Sequence, residues 1–235
     1  MKKFLSMVSL SIFAATFAQA DQKSLEKNLQ KNYPEMNAKV TGSTPFKGIY
    51  EVTVGDQIVY TDDKGQYFFV GNLVDFKNKE NLTAKREQQI NKIDVTKLPL
   101  DQAIKYVKGN GSRVLYIFSD PDCPYCQQLE KELTSVDNVT IYLFLYPLKS
   151  IHPNAETVAK QIWCSSDRYA AWEDHMINQQ APTALPTCSN PISKNLALGQ
   201  SLKISGTPTI FLKDGQRISG AREAEDIENL LNSQK

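Results

Sequence analysis

Between Gly48 and Val70 apolar and polar positions alternate, and most of the apolar ones are β-branched or aromatic. Gly48-Ile-Tyr-Glu-Val-Thr-Val54, Gln57-Ile-Val-Tyr-Thr61 and Gln66-Tyr-Phe-Phe-Val70 therefore read as strands, since a period of two gathers one set of side chains on one sheet face. Gly55-Asp56 and Asp62-Asp63-Lys64-Gly65 separate them as turns, and Gly71 to Phe76 extends the last strand or adds another. Upstream, Leu25 and Leu29 stand four apart in Ser24 to Lys31, which predicts a short amphipathic helix ended by Tyr33-Pro34. Asn81 to Lys92 has a different character: it lacks Gly and Pro, and only Leu82 and Ile90 are strongly apolar. Such a segment predicts a helix that bridges two domains through solvent.

The second half has longer apolar runs. Asp101 to Val107 predicts a helix, Arg113 to Phe118 a buried strand, Cys123 to Thr134 a helix and Val139 to Tyr146 a second strand. Ala155 to Trp163, Ser166 to Ile177 and Ile192 to Leu202 predict helices. Thr209 to Leu212 and Gln216 to Ser219 form a hairpin around Lys213-Asp214-Gly215, and Ala224 to Leu231 closes the chain as a helix. The expected class is α+β, with a leader over 1–20, a small antiparallel-sheet domain over 21–80, a linker helix over 81–97 and an α/β domain over 98–235. A sheet of this size with one helix has a thin core, so pairing with a second copy through an edge strand is expected. Folding back on the C-terminal half is the alternative.

Met1 to Ala20 has the layout of a secretory signal: Lys2 and Lys3, an apolar stretch to Phe17, then Ala18-Gln19-Ala20 as a small-x-small cleavage site. The stretch is short for a bilayer span, so the expected mature chain starts at Asp21 and is soluble, with the bacterial periplasm as destination. The 27 basic and 26 acidic residues nearly cancel, and losing Lys2 and Lys3 leaves about one net negative charge. That balance argues against nucleic acid or an anionic membrane as partner.

The candidate chemistry lies in Cys123-Pro124-Tyr125-Cys126, directly after the apolar run Val114 to Phe118. A helix starting at Cys123 puts that sulfur where unpaired N–H groups and the helix dipole favour an anion. The thiolate is the nucleophile, and Cys126 lies near enough to close a disulfide or resolve a mixed one. Pro124 suits a first helical position. Structural zinc would need two more ligands, and neither Cys164 with Cys188 nor His152 with His175 has such spacing. No cofactor and no metal are expected. A dithiol in an oxidising compartment handles disulfides.

Strand, CxxC helix, strand, helical block, hairpin and helix is the thioredoxin order. With Phe118-Ser-Asp-Pro-Asp-Cys-Pro-Tyr-Cys126 and Gly206-Thr207-Pro208-Thr209, the chain resembles the bacterial periplasmic disulfide isomerases of the DsbC/DsbG family over essentially its whole mature length. The resemblance implies a redox pair in the first sequence and a cis-proline loop facing it in the second. An X–Pro bond adopts cis at low cost, which would turn Thr207 so that its backbone pairs with a substrate beside Cys123. Cys164 and Cys188 enclose Ser165 to Thr187, and a structural disulfide is expected; DsbC-like members carry a second, non-catalytic one in this region. A second redox pair is the alternative. The Pro-Tyr dipeptide departs from the Gly-Tyr of DsbC and matches DsbG and glutaredoxins, a difference that tunes thiolate stability.

The resemblance implies a dimeric disulfide isomerase and reductase acting on misfolded secreted proteins, kept reduced by a membrane reductase of the DsbD type. Cys123 attacks, Cys126 resolves, Pro124 and Tyr125 shape the approach, and Thr207 and Pro208 hold the substrate backbone. Asp120 and Asp122 receive no catalytic role. Competing readings are a reductase of sulfenylated single cysteines, as in DsbG, a holdase chaperone with Tyr50, Tyr60, Tyr67, Phe68 and Phe69 lining an apolar cleft, and a monomeric dithiol oxidase.

Overall fold

The computed structural model describes residues 12–55 and 57–234 and divides the chain into two compact units between Asn91 and Lys92. Met1 to Ser11 of the expected leader, and Asp56 of the expected Gly55-Asp56 turn, lie outside the described residues.

The first unit begins with α1 (Ile12–Asn32), which passes through Ala20 and Asp21 without a break and contains the helix expected from Ser24 to Lys31. Among the described residues no helix is long and apolar enough to cross a membrane. Leu25 and Leu29 are fully buried, one turn apart on one face. Tyr33-Pro34 ends the helix in a short 3-10 turn over Pro34–Met36. A four-stranded antiparallel meander follows in sequential order: β1 (Lys39–Ser43), β2 (Ile49–Val54), β3 (Gln57–Asp62) and β4 (Phe68–Val70). Its inner face sets Val52 and Val59 against the two leucines. The β3–β4 turn presses on the helix at Gly65, whose φ is +72° and where a Cβ would lie 2.7 Å from Leu29 Cδ2. Only glycine fits there.

After β4, the ladder of β5 (Val74–Asp75) with β6 (Glu80–Asn81) leads into α2 (Leu82–Ile90), whose first turn is capped by Asn81 Oδ1 accepting the Ala84 N–H at 3.0 Å. This polar helix is tied to its own sheet. Thr83 is buried against the Tyr60 hydroxyl, and Arg86 Nε donates to Glu51 Oε1 at 3.0 Å.

The second unit holds β7 (Ile104–Lys108), β8 (Arg113–Ser119), α3 (Pro124–Leu133), β9 (Val139–Leu145), α4 (Ala155–Cys164), α5 (Arg168–Met176), α6 (Ile192–Ser201), β10 (Thr209–Leu212), β11 (Arg217–Ser219) and α7 (Ala224–Asn232). The sheet order is β11-β10-β8-β9-β7; β8 and β9 run parallel and the other pairs antiparallel. A parallel pair needs a crossover, which α3 supplies. Both faces of β8 are covered. Leu115 and Ile117 join Leu129, Ile141 and Leu143 on one side, while Tyr116 and Phe118 join Phe144 and Phe211 on the other. Phe118 and Phe144 stack at 4.7 Å.

One expected element is corrected. The helix predicted over Asp101 to Val107 is instead a 3-10 turn, Leu100–Gln102, followed by strand β7. Ile104 and Tyr106 point into the core, whereas Lys105 and Val107 are exposed. That is a period of two, and pairing along β9 from Ile104 opposite Leu143 outweighs the helical preference of the segment.

Candidate functional site

The site forms where two parallel strands end side by side, bridged by Tyr146 N–H donating to Ser119 O at 2.8 Å. The chain leaves β8 through Asp120-Pro121-Asp122 and enters α3 at Cys123, whose extended backbone (φ −86°, ψ 122°) makes it the N-cap. Pro124 takes the first helical position, where no N–H is needed. The Cys123 carbonyl accepts the N–H groups of Cys126 (3.0 Å) and Gln127 (3.1 Å), which fixes the first turn. Tyr125 is 65 % exposed beside the dithiol.

Thr207-Pro208 arrives from the other side because β10 pairs with β8, Thr209 opposite Phe118. Its peptide bond is cis, and Thr207 O lies 3.5 Å from Cys123 Sγ. The structure thus brings Cys123, Pro124, Tyr125, Cys126, Thr207 and Pro208 together. Cys164 and Cys188 are bonded to each other elsewhere, at the end of α4 and in the loop before α6.

Both cysteines of the motif are unpaired and buried, and they differ sharply in acidity. The Cys123 thiol falls from 9.0 to about 5, chiefly through the hydrogen bond from Cys126. The N–H groups of Cys126 and Tyr125 and the Thr207 hydroxyl add to this, against the penalty of burial. Burial pushes the Cys126 thiol far the other way, and a neighbouring thiolate adds to it. Asp120 N–H points at Cys126 Sγ from 3.4 Å. One sulfur is poised to ionise near neutrality; the other is held as a thiol. We expect the ultraviolet thiolate absorbance of the reduced protein to rise with a midpoint near pH 5 and stay flat from pH 6.5 to 8. The depressed value also stabilises the reduced fold above pH 9, a contribution lost as pH falls through about 5. A midpoint above pH 7.5 would refute this account of the Cys123 thiol.

Four further groups escape any reading of sequence spacing. Asp120 is fully buried, and its carboxylate meets His152 Nδ1 at 2.9 Å. His175, from α5, places Nε2 3.1 Å from Pro121 O and 3.7 Å from Asp122 Oδ1. Glu130, one turn beyond Cys126 on α3, is buried with Tyr106 donating at 3.4 Å, and burial pushes its carboxyl up to about 7. His152 lies between β9 and α4; only the adjacency of parallel strand ends could have placed it near the dithiol.

Residues 100–235 match the family model of a thioredoxin-like domain, and residues 16–84 match that of the disulfide bond isomerase protein N-terminal domain. The chain is 39% identical to the probable thiol:disulfide interchange protein DsbC of Bordetella pertussis, over 91% of this chain and 74% of that protein. It belongs to the DsbC family. The Escherichia coli K12 thiol:disulfide interchange protein DsbC is 24% identical over 98% of this chain and 96% of its own. The crystal structure of a disulfide interchange protein from Neisseria gonorrhoeae superposes with a TM-score of 0.56 at 38% identity, covering 58% of this chain and 97% of that one. Membership makes the protein a thiol:disulfide oxidoreductase of the disulfide isomerase kind, built as an N-terminal sheet domain and a thioredoxin-like domain.

Proposed function

We propose that Cys123 is the attacking sulfur and Cys126 the resolving one in a periplasmic enzyme that corrects wrongly paired disulfides. The observation that carries this assignment is the opposite perturbation of the two thiols within one helical turn. Cys123 attacks a substrate disulfide and forms a mixed disulfide. A substrate thiol then releases Cys123, which completes isomerisation; otherwise Cys126 attacks, and reduced substrate leaves. The oxidised dithiol is restored by a membrane reductase of the DsbD type. Pro124 and Tyr125 border the approach, the Thr207-Pro208 backbone supports the substrate chain, and the Cys164–Cys188 bridge is structural. The test is refolding of a scrambled multi-disulfide protein: native pairing must recover faster than with an equivalent small thiol, or the assignment fails.

Residues 21–80 serve in this reading as the dimerisation domain, 81–97 as the helical connection and 98–235 as the catalytic domain. The support is the outer edge of β4, which among the described residues pairs only with β3. Beside it Tyr67, Phe69 and Val70 are 69 %, 55 % and 80 % exposed, and an apolar groove runs past Phe46, Ile49, Tyr60, Phe69, Val70 and Leu73. An exposed apolar edge strand of this kind pairs or aggregates unless covered. Sedimentation equilibrium is expected to give a dimer, and Phe69→Lys with Val70→Lys a monomer at micromolar concentration. A monomeric wild type sinks this part. A holdase role would use the same surface: Tyr67 and Phe69 are exposed, Tyr50 and Phe68 half-buried and Tyr60 buried. Suppression of aggregation by Cys123→Ala would support it.

A further inference from the structure

Asp120 is the junction of the site. Its Oδ1 accepts Asp122 N–H at 2.8 Å, and its Oδ2 accepts Leu148 N–H at 2.6 Å and His152 Nδ1 at 2.9 Å. Its backbone reaches both sulfur-bearing residues, donating to Cys126 Sγ at 3.4 Å and accepting Cys123 N–H at 3.2 Å. The carboxylate is fully buried, while the His152 side chain keeps 20 % of its surface in solvent. One imidazole, from the loop after β9, is therefore joined through one carboxylate to the frame of the dithiol.

We propose that the His152–Asp120 pair is a redox-linked proton site: it holds a proton while Cys123 is a thiolate and releases it when the dithiol is oxidised. This goes beyond the assignment of Cys123 as nucleophile and rests on it. His152 is a positioning residue here, since it acts through Asp120 and its own charge.

The argument is electrostatic and geometric. Asp120 carries a buried negative charge on the residue whose backbone holds both cysteines, which disfavours a second negative charge nearby, and an imidazolium bonded to its carboxylate offsets that cost. In return, the Asp120 hydrogen bond first, and then the charges of Asp120, Cys123 and Asp122, raise the pKa of His152 against a smaller penalty of burial. The other charges nearby are fixed with respect to redox state. Asp122 faces His175 of α5, and Lys149, in the His152 loop, pairs with Glu156 at 3.9 Å. Only Cys123 changes charge with oxidation. In that step two electrons pass from the dithiol to a substrate disulfide, the Cys123–Cys126 bond forms and the substrate S–S bond breaks. The substrate leaves as one thiolate and one thiol, the latter carrying the proton of Cys126. With the Cys123 charge gone, His152 binds its proton less tightly and sheds it to solvent. The linkage is reciprocal.

Wild-type protein suffices for the first test, because the chain has only two histidines. Imidazole NMR titration is expected to show the His152 midpoint lower in the oxidised protein by about half a unit or more. Identical midpoints in the two redox forms would overturn the proposal. For the second test, His152→Gln should raise the midpoint of the thiolate absorbance by about one unit. Adding Asp120→Asn should bring it back down, a rescue that a purely structural contact would not produce. An unshifted midpoint in a folded His152→Gln protein also overturns the proposal. Cys126→Ser that keeps the acidic thiolate step establishes separately that Cys123 is the sulfur titrating.

Discussion

Cys123→Ser is expected to reduce disulfide interchange to the level of a small-thiol control, a loss of about three orders of magnitude or more in turnover. Serine in the same place offers a hydroxyl that neither ionises near neutrality nor attacks sulfur. Cys126→Ser should behave differently: attack survives, and mixed disulfides accumulate until an outside thiol clears them. Trapped covalent complexes, counted on non-reducing gels, separate the two variants. Substantial isomerase turnover in Cys123→Ser would sink the assignment. The size of the thiolate shift has a less obvious meaning. A fall from 9.0 to about 5 raises the thiolate share at pH 7 about 100-fold. With the usual Brønsted slope, the same fall weakens each thiolate as a nucleophile by about 40- to 100-fold. The two nearly cancel. In the proposed mechanism the shift delivers a good leaving group: Cys123 would be easily displaced from a mixed disulfide, whether by the substrate or by Cys126.

The second large effect is on stability. Replacing Cys164 and Cys188 together by Ala should cost about 3 kcal/mol in the chain-entropy account, for a sequence separation of 24 residues. For a unit of this size that lowers the melting temperature by about 10 °C. The enclosed segment carries α5, whose Trp172 and Met176 are fully buried in the core, so the bridge holds down an element the core needs. Interchange by the folded variant should be unchanged at 25 °C. Loss of activity without loss of stability would instead make this pair a second redox centre.

Most of the catalytic half was legible because its elements carry long local signals. Val114 to Phe118 is an unbroken apolar run, as a strand buried on both faces requires, and Pro124 after Cys123 suits a first helical position. The β7 segment was misread because Ile104-Lys-Tyr-Val-Lys108 is too short for its period to speak against a helix; pairing with β9, some 35 residues away in sequence, decides it. The site followed the same division. The dithiol and Thr207-Pro208 announce themselves by residue type. Sequence spacing gives Asp120 no catalytic role and His152 no ligand partner, because their meeting depends on β8 and β9 ending together. Glu130 gave no sign either: nothing local reveals that a glutamate on an amphipathic helix faces inward.

The burial of Cys126 bears on how long a substrate stays attached. In the proposed mechanism a resolving sulfur held as a thiol would attack the mixed disulfide slowly, so the covalent complex would have a dwell time set by the protein. During that interval the substrate's own thiols compete for the same bond. A long dwell favours reshuffling within the substrate, and a short one favours its release in reduced form. Isomerase and reductase are then two outcomes of one race, with the depth of a single sulfur as its clock.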